Sequence, residues 1–445
     1  MQRAAHGLAH AVLDLLGTAY GRRVLLLVGS GDNGGDALYA GAVLAHRGVL
    51  VDAWVLSERS HEAGTAALLR AGGRLVTAAP TTRPDLVVDG IVGIGGRPGL
   101  TPMAQQALAA VLGVPIVAVD TPSGVDVDGG ELDGPHVDAA LTVTFGTHKI
   151  AHFVDPASAA AGTVVLVDLG LDLPAPALEV LAPSDVAALL PRAQRDAQKY
   201  TRGVVGIRAG SQQYPGAGLL SVAGASCGLA GMVRYVGDDV VRDLVCAEHP
   251  EVVGAGRVQA WVVGSGSGEA AGGTLAEALA DGVATVVDAD ALAHVKTEGS
   301  GDHSSLILTP HAGELARMLG AERRDVERRP LAYARQSADA YGAVVLLKGP
   351  HTLIVHPDGR VRATTTGTSW LATAGAGDVL GGVIGALAAS GLDPFDAASV
   401  GSWLHGAAAT LAASRGTIVA GDVARALPGT IGRLLEASLL EGWAL

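Results

Sequence analysis

The stretch RVLLLVGSGDNGGDA, Arg23 to Ala37, decides how the first part of this chain is to be read. Arg23–Gly29 is a run of branched aliphatic residues with no polar alternation, the pattern of a strand buried on both faces of a parallel sheet. It runs directly into Ser30-Gly31-Asp32-Asn33-Gly34-Gly35-Asp36, and a helix is expected over Asp36–Gly48. Glycines at a strand-to-helix turn let backbone N–H groups approach an anionic ligand. The spacing is not GxGxxG, so this is not the ordinary dinucleotide fingerprint, and a plain tight turn with Asp36 near the helix start would use the same residues.

Working outward, Leu50–Leu56, Asp85–Asp89 and Val114–Asp120 also read as strands, and Met103–Gly113 as a helix. Alternation of this kind predicts parallel βαβ units with ligands at the carboxyl ends of the strands. Two of those ends repeat the chemistry of the first. Asp89 is followed by Gly90-Ile91-Val92-Gly93-Ile94-Gly95-Gly96, and Asp120 by Thr121-Pro122-Ser123-Gly124. One strand-end Asp is often only a cap. Three oxygen-rich ends on one sheet edge suggest a site with ligands for a hard cation.

After a proline-rich segment at Leu173–Leu190, which reads as a linker, a second alternating series begins. Strands are expected at Val204–Ala209, Gln259–Gly264, Ala284–Asp288, Leu306–Thr309 and Ala343–Leu347. Its helices are expected at Glu269–Asp281, Ala312–Leu319, Leu331–Tyr341, Gly377–Ser390 and Pro394–Ala413. Thr373-Ala374-Gly375-Ala376-Gly377-Asp378 precedes one helix, so free N–H groups can hold a phosphoryl oxygen while Asp378 accepts a proton from a hydroxyl. Lys348-Gly349-Pro350-His351-Thr352 and Thr309-Pro310-His311-Ala312-Gly313-Glu314 also follow strands. Each reads equally as an ordinary turn or as a ligand contact, with Glu314 either a capping acid or a magnesium–phosphate organiser acting through water.

At 445 residues the chain exceeds what a single core usually supports. The expected division is 1–180 and 181–445. Hydrophobic residues make up 49% and glycines number 63, which suits a tightly packed α/β protein. The net charge of −13 argues against nucleic acid and anionic membranes as partners. Cys227 and Cys246 have no metal-ligand spacing, which fits a reducing, cytoplasmic setting. Only Lys149, Lys199, Lys296 and Lys348 are lysines, so a lysine inside a motif draws attention.

The first half resembles the NAD(P)H-hydrate epimerase family, through DNGGDA, DGIVGIG, VDTPSGVD and TVTFGTHK (Thr142–Lys149) in that order. The second resembles the ribokinase-like fold and, within it, the NAD(P)H-hydrate dehydratase family. There the carriers are Tyr214-Pro215-Gly216-Ala217, Gly264-Ser265-Gly266-Ser267-Gly268, Asp288-Ala289-Asp290, the His311–Glu314 segment, Lys348-Gly349 and Gly375–Asp378. The fold implied is α/β throughout: a Rossmann-like three-layer domain, then a ribokinase-like one.

For the first domain the resemblance implies K+ held by Asn33, Asp89 and Ser123. Substrate contacts are implied at Asp32, Asn33, Gly34, Gly35 and Asp36 and at Gly93, Ile94, Gly95, Gly96, Arg97, Pro98 and Gly99, with Asp120 as catalytic carboxylate. For the second it implies Ala217, Gly266, His311 and Asp378 on the hydrated cofactor, with Asp378 catalytic. Lys348, Gly349, Pro350, His351, Thr352 and Gly377 would lie on the nucleotide, with Mg2+ as cofactor and ADP as phosphoryl donor. The expected partners are NAD(P)H hydrates and ADP, in a homo-oligomer. Asp32 and Ala37 stand where the family usually has Asn and Gly, and Ser265 stands where it has proline. The family also begins with a further helical segment, so Met1 reads as lying inside that region and the first domain as lacking a packing helix. The rival reading is a ribokinase-like kinase of a vitamin precursor with a non-catalytic nucleotide-binding module in front.

Overall fold

The structure is a computed structural model that describes residues 1–78, 81–297 and 303–442, with side chains through residue 436. The chain divides into two compact units, Met1–Pro176 and Ala177–Leu445.

The first unit is built on seven strands: β1 (Arg23–Val28), β2 (Leu50–Val55), β3 (Arg74–Val76), β4 (Leu86–Gly90), β5 (Ile116–Val119), β6 (Leu141–Phe145) and β7 (Thr163–Val167). Their order is β3-β2-β1-β4-β5-β6-β7, and every pairing is parallel. The continuous aliphatic run of β1 is explained by its two buried faces. Val24, Leu26 and Val28 join a core with Ala5, Leu8 and Val12 of helix Gln2–Leu16 and Ala37, Leu38 and Leu44 of helix Asp32–His46. Leu25 and Leu27 point the other way, onto Ala104 and Ala107 of helix Pro102–Ala110. This is a three-layer α/β arrangement of Rossmann-like order.

The second unit carries β8 (Val204–Arg208), β9 (Met232–Tyr235), β10 (Ala260–Val263), β11 (Ala284–Val287), β12 (Leu306–Leu308), β13 (Val344–Leu347), β14 (Thr352–Val355) and β15 (Val361–Thr364). The order is β15-β14-β13-β12-β11-β10-β8-β9, parallel from β9 to β13 and antiparallel in the terminal β13–β14–β15 meander. Val205, Ile207 and Val262 pack on Val379, Val383 and Ile384 of helix Ala376–Ala389, behind which lies helix Pro394–Ala413.

Two local expectations are corrected. The helix after β1 begins at Asp32, four residues earlier than expected, with Gly31 as its cap. Helix Gln2–Leu16 buries Ala4, Ala5, Leu8, Ala9 and Val12 at helical spacing. The segment Leu173–Leu190 is a linker only in its first part. The Glu179 N–H donates to the Val361 carbonyl at 2.9 Å and its carbonyl accepts from Ala363 N–H at 2.9 Å, alongside β15. Helix Pro183–Leu189 then buries Val186 and Ala187 in the second core. Among the described residues no helix is long and apolar enough to cross a membrane.

Candidate functional site

In the first unit the register aligns the strand ends: Val28 pairs with Gly90, Asp89 with Ala118, and Val119 with Val143. The three oxygen-rich turns are thereby brought together. Asp89 is fully buried, and Ser123 binds it twice, with the backbone N–H on Oδ2 at 2.8 Å and the hydroxyl on Oδ1 at 2.7 Å. Ile91 N–H adds a third bond at 3.2 Å. Burial still pushes the Asp89 carboxyl up to about 6 despite these donors. A buried carboxylate short of compensating positive charge is what a resident cation would offset. The Asn33 side chain reaches across to this turn: its Nδ2 donates to the Val119 carbonyl at 2.6 Å, and a Cβ on Gly93 would fall 2.3 Å from its Oδ1. Hard oxygen donors in this arrangement fit K+.

Asp120 stands just past β5 with a left-handed backbone, φ 67°. Such a conformation costs of order 1–3 kcal/mol for a non-glycine residue and persists only when its surroundings hold it. Here the Asp120 N–H donates to the Val143 carbonyl at 2.8 Å, and His152 Nε2 lies 3.0 Å from the Asp120 carbonyl. His152 Nδ1 accepts the Lys149 N–H at 3.1 Å, so the proton belongs on Nε2 and the ring pins the Asp120 backbone. Burial depresses this imidazole to about 4, which keeps it neutral.

The Asp120 carboxylate receives three donors on one oxygen. Lys149 Nζ is 2.5 Å from Oδ1, Thr144 Oγ1 2.9 Å and Phe145 N 3.3 Å, while none of these goes to Oδ2. The ammonium is held in turn by Thr144 Oγ1 and the Phe145 and Thr147 carbonyls, at 2.9, 3.1 and 2.9 Å. The arrangement is a fixed acid–base pair with one carboxylate oxygen left for a ligand. Asp36 is buried in the same helix start, with Oδ1 unpartnered. Burial, together with the Asp32 and Asp120 charges, raises it to about 6 against the lowering pull of the N-terminal amine. The Gly93–Gly99 segment is an exposed turn whose Ile94 side chain is 64% exposed.

In the second unit the expected residues gather around the ends of β10, β11 and β13. Gly266 and Ala217 meet: a Cβ on Gly266 would fall 2.8 Å from that of Ala217. Gly264 has φ 112°, and a Cβ there would come within 2.1 Å of the Asp288 carbonyl oxygen, so only glycine lets the turn pass. Lys348 Nζ lies 2.7 Å from Asp288 Oδ1 and 3.8 Å from Glu314 Oε2. Burial pulls this ammonium down, but the Asp288, Glu314 and Asp378 carboxylates outweigh it and hold it above the usual lysine range.

Gly349, Pro350 and His351 form the tight β13–β14 connection, and Thr352 opens β14. His311 caps helix Ala312–Leu319: its Nδ1 accepts the Gly313 and Glu314 N–H groups at 3.0 and 3.1 Å, and Glu314 Oε2 accepts the His311 N–H at 2.8 Å. Glu314 is therefore a capping acid that also faces Lys348. Asp378 lies in the first turn of helix Ala376–Ala389, beyond the left-handed cap Gly375. Burial raises its carboxyl to about 6; Ser265 and Lys348 lower it and Asp288 raises it.

The sequence match extends over both units. The family model for the YjeF-related protein N-terminus matches residues 1–151, and that for NAD(P)H-hydrate dehydratase matches residues 205–429. The bifunctional NAD(P)H-hydrate repair enzyme of Mycobacterium tuberculosis is 47% identical over 417 residues, covering 90% of this chain and 86% of that protein. This chain belongs to the bifunctional NAD(P)H-hydrate repair enzyme family. The Mycobacterium leprae member is 45% identical over 93% of this chain and 89% of its own length. The ADP/ATP-dependent NAD(P)H-hydrate dehydratase of Bacillus subtilis, co-crystallised with ATP and Mg2+, is 29% identical with a TM-score of 0.55. It aligns over 57% of this chain and 98% of its own.

Within this family member, reading the sequence quoted Thr144, Lys149 and Asp288 inside motifs but gave them no site role, and it missed His152 behind Asp120. The rarity of lysine was a usable signal, since two of the four lysines are those paired with strand-end aspartates.

Proposed function

We propose that the first unit interconverts the (6R) and (6S) hydrates of NADH and NADPH, and that the second dehydrates the S epimer using ADP. The products are NAD(P)H, AMP and phosphate. Two complete acid–base constellations in separate compact units, each inside the reach of a different family model, carry this reading; a single vitamin-precursor kinase would leave the first of them without a task.

The hydrated carbon C6 bears both a hydroxyl and the ring nitrogen. Its configuration inverts when one of those bonds breaks and re-forms on the other face, and each step needs a proton given or taken at one oxygen. Asp120 Oδ2 takes and returns that proton. Lys149 on Oδ1 fixes its orientation. Asn33, Asp89 and Ser123 would hold K+, whose charge would support the buried Asp89 and the neighbouring turn. Asp32–Asp36 and Gly93–Gly99 form the substrate walls.

In the second unit Asp378 accepts the proton of the C6 hydroxyl as its oxygen attacks the β-phosphorus of ADP and AMP departs. The N–H groups at the start of helix Ala376–Ala389 meet the transferring phosphoryl oxygens. The C6–O bond then breaks, phosphate leaves, and the neighbouring ring carbon loses a proton as the double bond returns. Ala217, Gly266 and His311 contact the hydrate, and Lys348–Thr352 with Gly377 contact the nucleotide. Mg2+ would neutralise the phosphates, organised through water by Glu314. A homo-oligomer in the cytoplasm completes the proposal. Chromatographic tracking of both hydrate epimers tests it. Without ADP the epimer ratio equilibrates and no NADH forms; with ADP both epimers are consumed. NADH formed without ADP, or R epimer left behind with ADP, would contradict it.

A further inference from the structure

His152 stands behind the first site, and the catalytic scheme above gives it no task. Both of its ring nitrogens bind backbone. Nε2 donates to the Asp120 carbonyl at 3.0 Å, and Nδ1 accepts the Lys149 N–H at 3.1 Å. The Lys149 carbonyl accepts the His152 N–H at 3.0 Å in return, so the ring is tied to Lys149 from two sides. The residue is buried, and the edge of the His148 ring closes over it at 6.1 Å between centroids.

One imidazole thus joins the backbones of two residues 29 positions apart, and those two carry the acid–base pair of the site, Lys149 Nζ on Asp120 Oδ1. Asp120 has φ 67°, a left-handed backbone that a non-glycine residue keeps only when its surroundings hold it. The sheet supplies one restraint, the Asp120 N–H on the Val143 carbonyl at 2.8 Å. His152 supplies the other, on the carbonyl of the same residue. A histidine beside a catalytic aspartate could also be a proton relay, but here the ring meets the carbonyl and not the carboxylate, and neither nitrogen is left over. Burial, with Lys149 and His148 adding to it, lowers the imidazole to about 4 against the raising effect of the Asp120 carbonyl. The ring is therefore neutral, and Nδ1 stays an acceptor.

We infer that His152 is a positioning residue for epimer exchange: it ties the Asp120 and Lys149 backbones together, so that the ammonium takes one carboxylate oxygen and leaves Oδ2 to the proton of the ligand. This rests on the epimerase reading of the first unit.

The experiment uses the full chain as wild type, His152→Gln, His152→Asn and His152→Leu. Glutamine can place an amide N–H where Nε2 stood, asparagine an amide oxygen where Nδ1 stood, and leucine neither. Epimer exchange is followed without ADP over early time points, with thermal midpoints alongside. Misplacing the carboxylate should lower kcat about 10–100-fold in His152→Leu, with the KM for the hydrate within about twofold of wild type. His152→Gln should recover most of that loss, and His152→Asn should stay near the leucine variant. On a Lys149→Met background His152→Leu should cost far less than it does alone, because the pair that it aligns is already gone. A folded His152→Leu with wild-type kcat, an effect on KM alone, or the full loss repeated on the Lys149→Met background would overturn the inference. Should His152→Leu not fold, His152→Gln no faster than His152→Asn would overturn it. Each of these leaves wild-type exchange, and so the parent reading, intact. Wild-type protein that fails to equilibrate the epimers would instead remove the parent reading, and this inference with it.

Discussion

Asp120 follows the carboxyl end of the parallel strand β5 and Asp378 lies in the first turn of helix Ala376–Ala389, and the two are kept ready for proton transfer by opposite means. Asp120 has its own cation, Lys149 at 2.5 Å, together with two further donors on the same oxygen. Among the described residues Asp378 has no such ion pair; the lysine of its site is committed to Asp288, and burial raises the carboxyl to about 6. A salt-bridged carboxylate is tightly oriented, which suits reversible proton exchange at one oxygen. A desolvated carboxylate is the stronger base, which suits removal of a proton from an alcohol that must attack phosphorus.

The largest expected effects separate the two sites by function. Asp378→Asn keeps the volume and removes the acceptor, so dehydration should fall by ~10²–10⁴, the usual share of a general base, with epimer exchange near wild type. Lys149→Met should do the converse, lowering epimer exchange by about 10² while the S epimer is consumed normally with ADP. Early time points of a chromatographic assay read both, before spontaneous exchange blurs them.

The pH dependence is next in size. Because Asp378 must be ionised to act and its carboxyl is raised to about 6, kcat/KM for dehydration should be full above that value. It should fall about tenfold per unit below it. An acid limb near the ordinary carboxylate value would deny the role of burial.

The same asymmetry should appear in stability, with opposite signs. A carboxyl whose folded pKa lies above its unfolded one contributes stability only at low pH and loses it as pH rises through the folded value. At neutral pH, Asp378→Asn should therefore raise the melting midpoint by about 2–4 °C. Asp120→Asn leaves the partly buried Lys149 ammonium without its counter-ion and should lower the midpoint. Calorimetry of both variants at neutral pH checks the pair.

The smallest expected effect concerns the cation. Epimer exchange should be several-fold faster in potassium than in lithium buffer, because Asn33, Asp89 and Ser123 offer oxygen donors to a larger ion. Dehydration of pure S epimer should show no such difference at this site.

What could be read in advance from the sequence was whatever is local. Central strands such as Arg23–Val28 announce themselves as aliphatic runs because both faces are buried. The short edge strand Arg74–Val76 carries no such run and went unread, and so did β6, β7, β9 and the β14–β15 hairpin, although β7 and β14 are aliphatic. The helix start was placed late because Gly34 and Gly35 argue against helix by propensity. Packing overrides this: a Cβ on Gly34 would fall 2.3 Å from the Gly29 carbonyl oxygen, so the first turn requires glycine there. The Lys149–Asp120 contact spans 29 residues and exists only because β5 and β6 pair with Val119 opposite Val143. Lys348 and Asp288 are 60 residues apart on strands separated by β12. Sequence spacing cannot show such contacts, whereas it does show glycine turns and caps.

The central claim is that two independent sites act in succession on one ligand, and mixing two damaged proteins tests it most directly. The R epimer is supplied with ADP to an equimolar mixture of Asp120→Asn and Asp378→Asn proteins, and NADH is followed over early time points. The account predicts that the mixture forms NADH about as fast as wild type at the concentration of either variant, while each variant alone is far slower. A mixture no faster than Asp120→Asn alone, with both proteins folded, would contradict it and require a single shared site.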